Sequence, residues 1–107
     1  MEYKAISKNV RVSPRKIRAV ADVIKKFSAA VAIERLQFLA KSASQPIRKT
    51  LESAVANSKL KIEDLKIKNI LVDEGIKMKR RDTSHRASRD SGLIQKRASH
   101  ITVILEN

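Results

Sequence analysis

No cysteine occurs in the chain, which removes disulfides, thiolate zinc sites and thiol catalysis together. A reducing compartment fits that absence. Tryptophan is also missing, and Tyr3, Phe27 and Phe38 are the whole aromatic complement. Single-strand readers of the RRM or OB type rest on exposed rings, so the expected nucleic-acid contacts are with phosphate, ribose and groove shape. Glycine and proline number two each, which leaves no flexible or Pro-rich linker. No run approaches the 18 apolar residues of a membrane helix, and Met1-Glu2-Tyr3-Lys4-Ala5 has neither an h-region nor a transit-peptide pattern. A soluble intracellular protein without a membrane partner is expected.

Acidic residues are scarce as well: 11 Asp and Glu stand against 24 Lys and Arg, a formal charge of +13. That surplus is typical of proteins that neutralise phosphates, so nucleic acid is the leading partner class. A membrane surface would attract the same charge but needs bulky apolar residues opposite the cations. At 107 residues and 42% apolar content, the chain supports one domain with a modest core.

The chain is organised around Leu65 to Leu105. Leu65, Ile67, Ile70, Leu71 and Val72 read as one strand, and Ile101, Val103 and Leu105 alternate with His100, Thr102 and Ile104 as its returning antiparallel partner. Between them, from Lys79 to Gly92, Ala87 is the only apolar residue. Fixing those 14 residues would cost on the order of 14–28 kcal/mol of backbone entropy with almost no burial to offset it. An external partner is expected to supply that energy. From Lys77 to Arg97 eight cations (Lys77, Lys79, Arg80, Arg81, Arg86, Arg89, Lys96 and Arg97) stand against Asp82 and Asp90, which suits a polyanion. The plainer alternative is a solvated surface loop.

Upstream, Tyr3 to Val12 suits a short strand beside the hairpin base, basic at Lys4, Lys8 and Arg11. Ser13-Pro14 predicts a helix start, with Ser13 accepting a backbone hydrogen bond and Pro14 at the first helical position. Ile17, Val20, Ala21, Ile24 and Phe27 extend that helix to about Lys26. Arg15, Lys16 and Arg18 in its first turns oppose the helix dipole, a conflict that phosphate would relieve. Ser28 predicts a cap for a second, architectural helix with Ala32, Ile33, Leu36 and Leu39 on one stripe. Ser42-Ala43-Ser44-Gln45 has the form of a capping box for a third, whose inward stripe is Ile47, Leu51, Ala54, Val55 and Ser58.

Catalytic chemistry finds no support. Asp73 and Glu74, adjacent on a strand, point to opposite faces, and neither His85 nor His100 has a metal-ligand or triad spacing. No catalytic residue, metal or cofactor is expected.

Four blocks, Val10-Arg11-Val12-Ser13-Pro14-Arg15-Lys16-Ile17-Arg18, Leu51-Glu52-Ser53-Ala54-Val55-Ala56-Asn57, Val72-Asp73-Glu74-Gly75 and Lys96-Arg97-Ala98-Ser99-His100-Ile101-Thr102-Val103, occur in the order of one family. The sequence resembles the uL22 family of bacterial-type large-subunit ribosomal proteins over almost its whole length. The resemblance implies an α+β fold, three helices packed on a small three-stranded antiparallel sheet with a long protruding basic β-hairpin. It implies a single domain over residues 1–107, with a globular part about 1–75 and 100–107 and an extended hairpin about 76–99. It further implies a structural role on large-subunit rRNA, beside neighbouring large-subunit ribosomal proteins, in a cytoplasmic or organellar ribosome. The hairpin would then line the exit tunnel and meet the nascent peptide.

The sequence departs from the usual family pattern at Gly75-Ile76, where Gly-Pro is common, and in a tip carrying Asp82 and Asp90. The rRNA-binding set drawn from residues and resemblance together is Lys8, Arg11, Ser13, Arg15, Lys16, Arg18, Lys77, Lys79, Arg80, Arg81, Arg86, Arg89, Lys96, Arg97, Ser99 and His100. A DNA-architectural protein with a basic β-arm is the alternative, though such arms wedge an apolar residue or Pro between base steps and this tip has neither. A nuclease comes third.

Overall fold

Strict alternation of apolar and polar residues makes β5 (Ser99–Glu106) a half-buried strand, with Ile101, Val103 and Leu105 wholly buried on one face. A computed structural model describes residues 1–81 and 93–107 and places β5 in the middle of a three-stranded antiparallel sheet. On one side it pairs with β1 (Glu2–Val10), on the other with β2 (Lys66–Glu74). Ile67, Ile70 and Val72 stand opposite Leu105, Val103 and Ile101, as the hydrophobic pattern predicts.

Three helices cover the apolar face: α1 (Pro14–Ile24), α2 (Ala29–Phe38) and α3 (Ser44–Ser58). Their inward residues, Ile17, Val20, Ile24, Ala32, Leu36, Ile47, Leu51 and Ala54, form one core with the sheet. At about 25 cal/mol per Å² of apolar surface removed from water, this shared burial is the main term holding the layers together. The architecture is therefore α+β, helices on one face of a small antiparallel sheet.

The helix starts differ from expectation in their chemistry. Ser13 and Ser28 occupy the N-cap positions of α1 and α2, but neither side chain makes a capping bond. The start of α2 is instead tied to the sheet by the Ala29 N–H, which donates to the Leu65 carbonyl at 3.4 Å, and by a bridge between Ser28 and Lys66. The predicted capping box is not formed: Ala43 is the N-cap of α3, and the Ser44 hydroxyl turns back to donate to the Lys41 carbonyl at 2.7 Å and the Leu39 carbonyl at 3.0 Å. Tight chain reversal before α3 outcompetes the local capping signal. Helix α1 ends at Ile24, with Lys25 as its C-cap, one turn short of Phe27, which is only half-buried.

The ribbon continues beyond the sheet as β3 (Met78–Arg81) and β4 (Leu93–Lys96), a separate two-stranded pair. Between the Glu74–Ser99 and Met78–Lys96 pairs lie three residues, Gly75, Ile76 and Lys77, on the outgoing arm and two, Arg97 and Ala98, on the return. One extra residue makes a bulge, which bends and twists the ribbon as it leaves the sheet. The Gly75 N–H donates to the Ala98 carbonyl at 2.8 Å and holds the two arms together at the bulge.

Candidate nucleic-acid interface

A second bulge lies next to the first, on the other side of the returning arm. Ser7 pairs with Ile101 and Val10 with Ser99, so Lys8 and Asn9 together face His100. Asn9 takes the left-handed backbone conformation, φ 56°, which Asn tolerates better than most side chains. Its N–H donates to His100 Nδ1 at 3.1 Å. An accepting Nδ1 puts the neutral ring's proton on Nε2, leaving that edge of His100 able to donate.

The two bulges bring together residues far apart in sequence. Arg11 and Asn9 line an open cleft with Ile76, Met78 and Ala98 at the hairpin base. Directly opposed residues of an antiparallel pair share a face, so Lys96 stands beside Met78, and Arg80 with Ile94 forms the next row of the same face. Lys79 and Gln95 form the row on the other face.

The first turn of α1 is open. Ser13 is extended, Pro14 has no N–H to offer, and among the described residues the N–H groups of Arg15 and Lys16 find no acceptor. Both side chains are exposed. Such a terminus favours an anion through free N–H groups and the helix dipole. Lys16 also shares a shallow depression with Lys41 and Ser42 from the connection before α3, so Lys41, which sequence reasoning did not single out, belongs to the same basic surface.

Not every predicted residue is available. Ser99 has 0% exposure, and its hydroxyl donates to the Val12 carbonyl at 2.6 Å. That placement corrects the expected rRNA contact: the side chain pins β5 to the turn before α1. Arg18 is exposed, but its guanidinium donates to the Val72 carbonyl at 2.9 Å, capping the open edge of β2. Lys77 pairs with Glu74 at 3.5 Å. Arg81 enters only as the last residue of β3, and Arg86 and Arg89 lie outside the described residues.

Exposed cations remain at Lys8, Arg11, Arg15, Lys16, Lys79, Arg80, Lys96 and Arg97, none of them in an ion pair with a described carboxylate. Elsewhere Glu2 pairs with Lys68 across the far end of the sheet. The hydrogen bond and charge of Lys68 hold the Glu2 carboxyl below its ordinary value, and the same bond raises Lys68.

The family described as ribosomal protein L22p/L17e matches residues 5–106. This chain belongs to that family. Among its relatives, the large ribosomal subunit protein uL22 of Bifidobacterium longum (strain DJO10A) is 44% identical over 116 aligned positions, covering 100% of this chain and 96% of the relative. The protein of the same name from Bifidobacterium animalis subsp. lactis (strain AD011) is 43% identical over 114 positions, covering 98% and 94%. Membership of the L22p/L17e family makes the chain a ribosomal protein with a structural role and no enzymatic one. The match takes in the open α1 terminus, both bulges and the described arms of the hairpin.

Proposed function

We propose that this protein is a structural constituent of the large ribosomal subunit, held there by large-subunit rRNA. The carrying observation is the set of exposed cations without described carboxylate partners at Arg11, Arg15, Lys16, Lys79, Arg80, Lys96 and Arg97, spread over a helix terminus and a ribbon that has no core of its own. Lys8 and the free edge of His100 extend that surface at the bulge, and the uncapped Ser13 hydroxyl extends it at the helix. Phosphates between the α1 terminus and the ribbon would neutralise these groups without any base-specific code.

In this reading the single domain divides by task. The globular part, about residues 1–75 and 100–107, docks near the tunnel exit, and the hairpin, about 76–99, reaches inward to line the exit tunnel beside the nascent peptide. Neighbouring large-subunit proteins are further partners. The groove lined by Val23, Phe27, Val31, Phe38 and Leu39, with Phe38 80% exposed, is an apolar surface better suited to a protein than to a phosphate backbone. The work belongs to the cytoplasm, where bacterial large subunits translate.

Sedimentation of a tagged chain from lysate tests the assignment. Co-migration with large subunits through moderate salt is expected, and association with the nucleoid instead would overturn it.

A further inference from the structure

We infer that the cleft at the hairpin base takes one unstacked nucleotide of RNA, its base lying between the Arg11 guanidinium and the apolar wall of Ile76, Met78 and Ala98. The inference rests on the rRNA-binding role proposed above and adds a base contact to what was a phosphate surface.

The cleft measures about 240 Å³ and is open to solvent. That is below the roughly 300–1,000 Å³ of sites for drug-sized ligands, and it suits a single base with part of its ribose rather than a duplex. Its wall is apolar without a structural need. Ile76 is 61% exposed and takes no part in the core. A phosphate has no use for such a wall, whereas the face of a base does.

The charge around the cleft selects the occupant. Arg11 lines it, Lys96 stands beside Met78, and Arg80 follows on the same ribbon face. The nearest carboxylate along the outgoing arm, Glu74, is engaged by Lys77 at 3.5 Å. An apolar slot with Arg11 in its lining and Lys96 and Arg80 on the adjoining ribbon face fits a group that is flat and apolar in the middle and anionic at both ends, which describes a nucleotide within a strand.

RNA is read at unstacked bases, on aromatic rings or on Arg guanidinium planes. None of Tyr3, Phe27 and Phe38 lines this cleft, so Arg11 supplies the plane. The Asn9 side-chain amide, also in the lining, offers a donor and an acceptor to the base edge. Its Oδ1 lies over Gly75, 3.2 Å from where a Cβ would stand.

The test measures binding of the full-length protein to its cognate large-subunit rRNA, transcribed in vitro, across a series of salt concentrations. Counterion release makes the slope a count of phosphates neutralised, whereas base stacking acts at constant slope. Ile76→Ala should weaken binding about tenfold at every salt, the scale of losing part of one apolar side chain's burial against the base, with slope and unfolding midpoint unchanged. Arg11→Lys, which keeps the charge but loses the plane, should behave alike.

Wild-type affinity in Ile76→Ala overturns the inference, as does a parallel fall of affinity and slope. Unchanged rRNA affinity with poorer incorporation into particles would assign the wall to a protein partner and overturn it too. Absence of salt-dependent binding by the wild type would overturn the rRNA-binding role itself, an outcome distinct from the other three.

Discussion

The Ser99 hydroxyl donates to the Val12 carbonyl at 2.6 Å across 87 positions of sequence, tying the first residue of the returning strand to the turn that starts α1. The bond ties the helix terminus to the hairpin base. Ser99→Ala leaves the Val12 carbonyl without this donor in a part-buried setting and should cost about 1 kcal/mol. Urea unfolding measures it, and rRNA affinity of the folded variant at low temperature should stay near wild type, because Ser99 itself touches nothing outside the protein.

Gly75 is favoured by space rather than by backbone conformation, since its φ is not positive. A Cβ at this position would lie 3.2 Å from the Ala98 carbonyl carbon, 3.3 Å from the Ala98 oxygen and 3.2 Å from Asn9 Oδ1. Two of those atoms are backbone, so trimming a side chain cannot relieve them all. Gly75→Ala should lower stability by about 1–3 kcal/mol, the usual cost of overpacking, read as a lower urea midpoint.

Removing both cations from the α1 terminus should weaken rRNA binding and flatten its salt dependence together. Two lost phosphate contacts correspond to a slope smaller by about 1.4–1.8. Helix content by circular dichroism should not change in Arg15→Gln/Lys16→Gln, because Pro14 at the first helical position still starts the helix. Arg18→Gln should differ from this pair: it loses the bond to the Val72 carbonyl, about 0.5–1.5 kcal/mol of stability, with a smaller change in slope.

The Glu2–Lys68 pair gives the fold a weak dependence on pH. The Glu2 carboxyl is held below its ordinary value of 4.5, so the stability it adds is fully present above that value and is lost as pH falls through the lowered one. Lys68 is raised above its ordinary 10.5, so its contribution is present below that value and is lost as pH rises through the raised one. Both side chains are exposed, where screening keeps such pairs small. Glu2→Gln should therefore flatten the acid limb of the thermal-stability profile slightly and leave the midpoint near neutral pH almost unchanged.

Periodicity made the fold largely legible. Alternation at Ile101, Val103 and Leu105, the helical stripe at Ile17, Val20, Ala21 and Ile24, and the position of Pro14 all carry over to the structure because each reports burial, the strongest term. The capping expectations at Ser13, Ser28 and Ser42 failed for a common reason. A serine signals a short-range hydrogen bond of about 1 kcal/mol, which contacts with a neighbouring strand or a tight turn readily displace. Ser99 misled in another way: its place in a basic block gave no sign that it faces inward, although strand alternation with Ile101 would have told.

The bulge that sets Lys8 and Asn9 opposite His100 was not legible. It depends on a count of residues between two pairings, and a register shift leaves no compositional mark. That Asn9 lies over Gly75, and that Arg11 shares a cleft with Ile76, came only with the structure.

Site-specific photocrosslinking within assembled particles tests the central claim, that this surface is held by rRNA, most directly. A photoreactive side chain placed in turn at Arg15, Arg80 and Lys96 should join defined large-subunit rRNA nucleotides from all three positions, while one at Phe38 should join protein. If the chain enters the particle and Arg15, Arg80 and Lys96 crosslink only to protein, or to nothing, the account of a basic face docked on rRNA is contradicted.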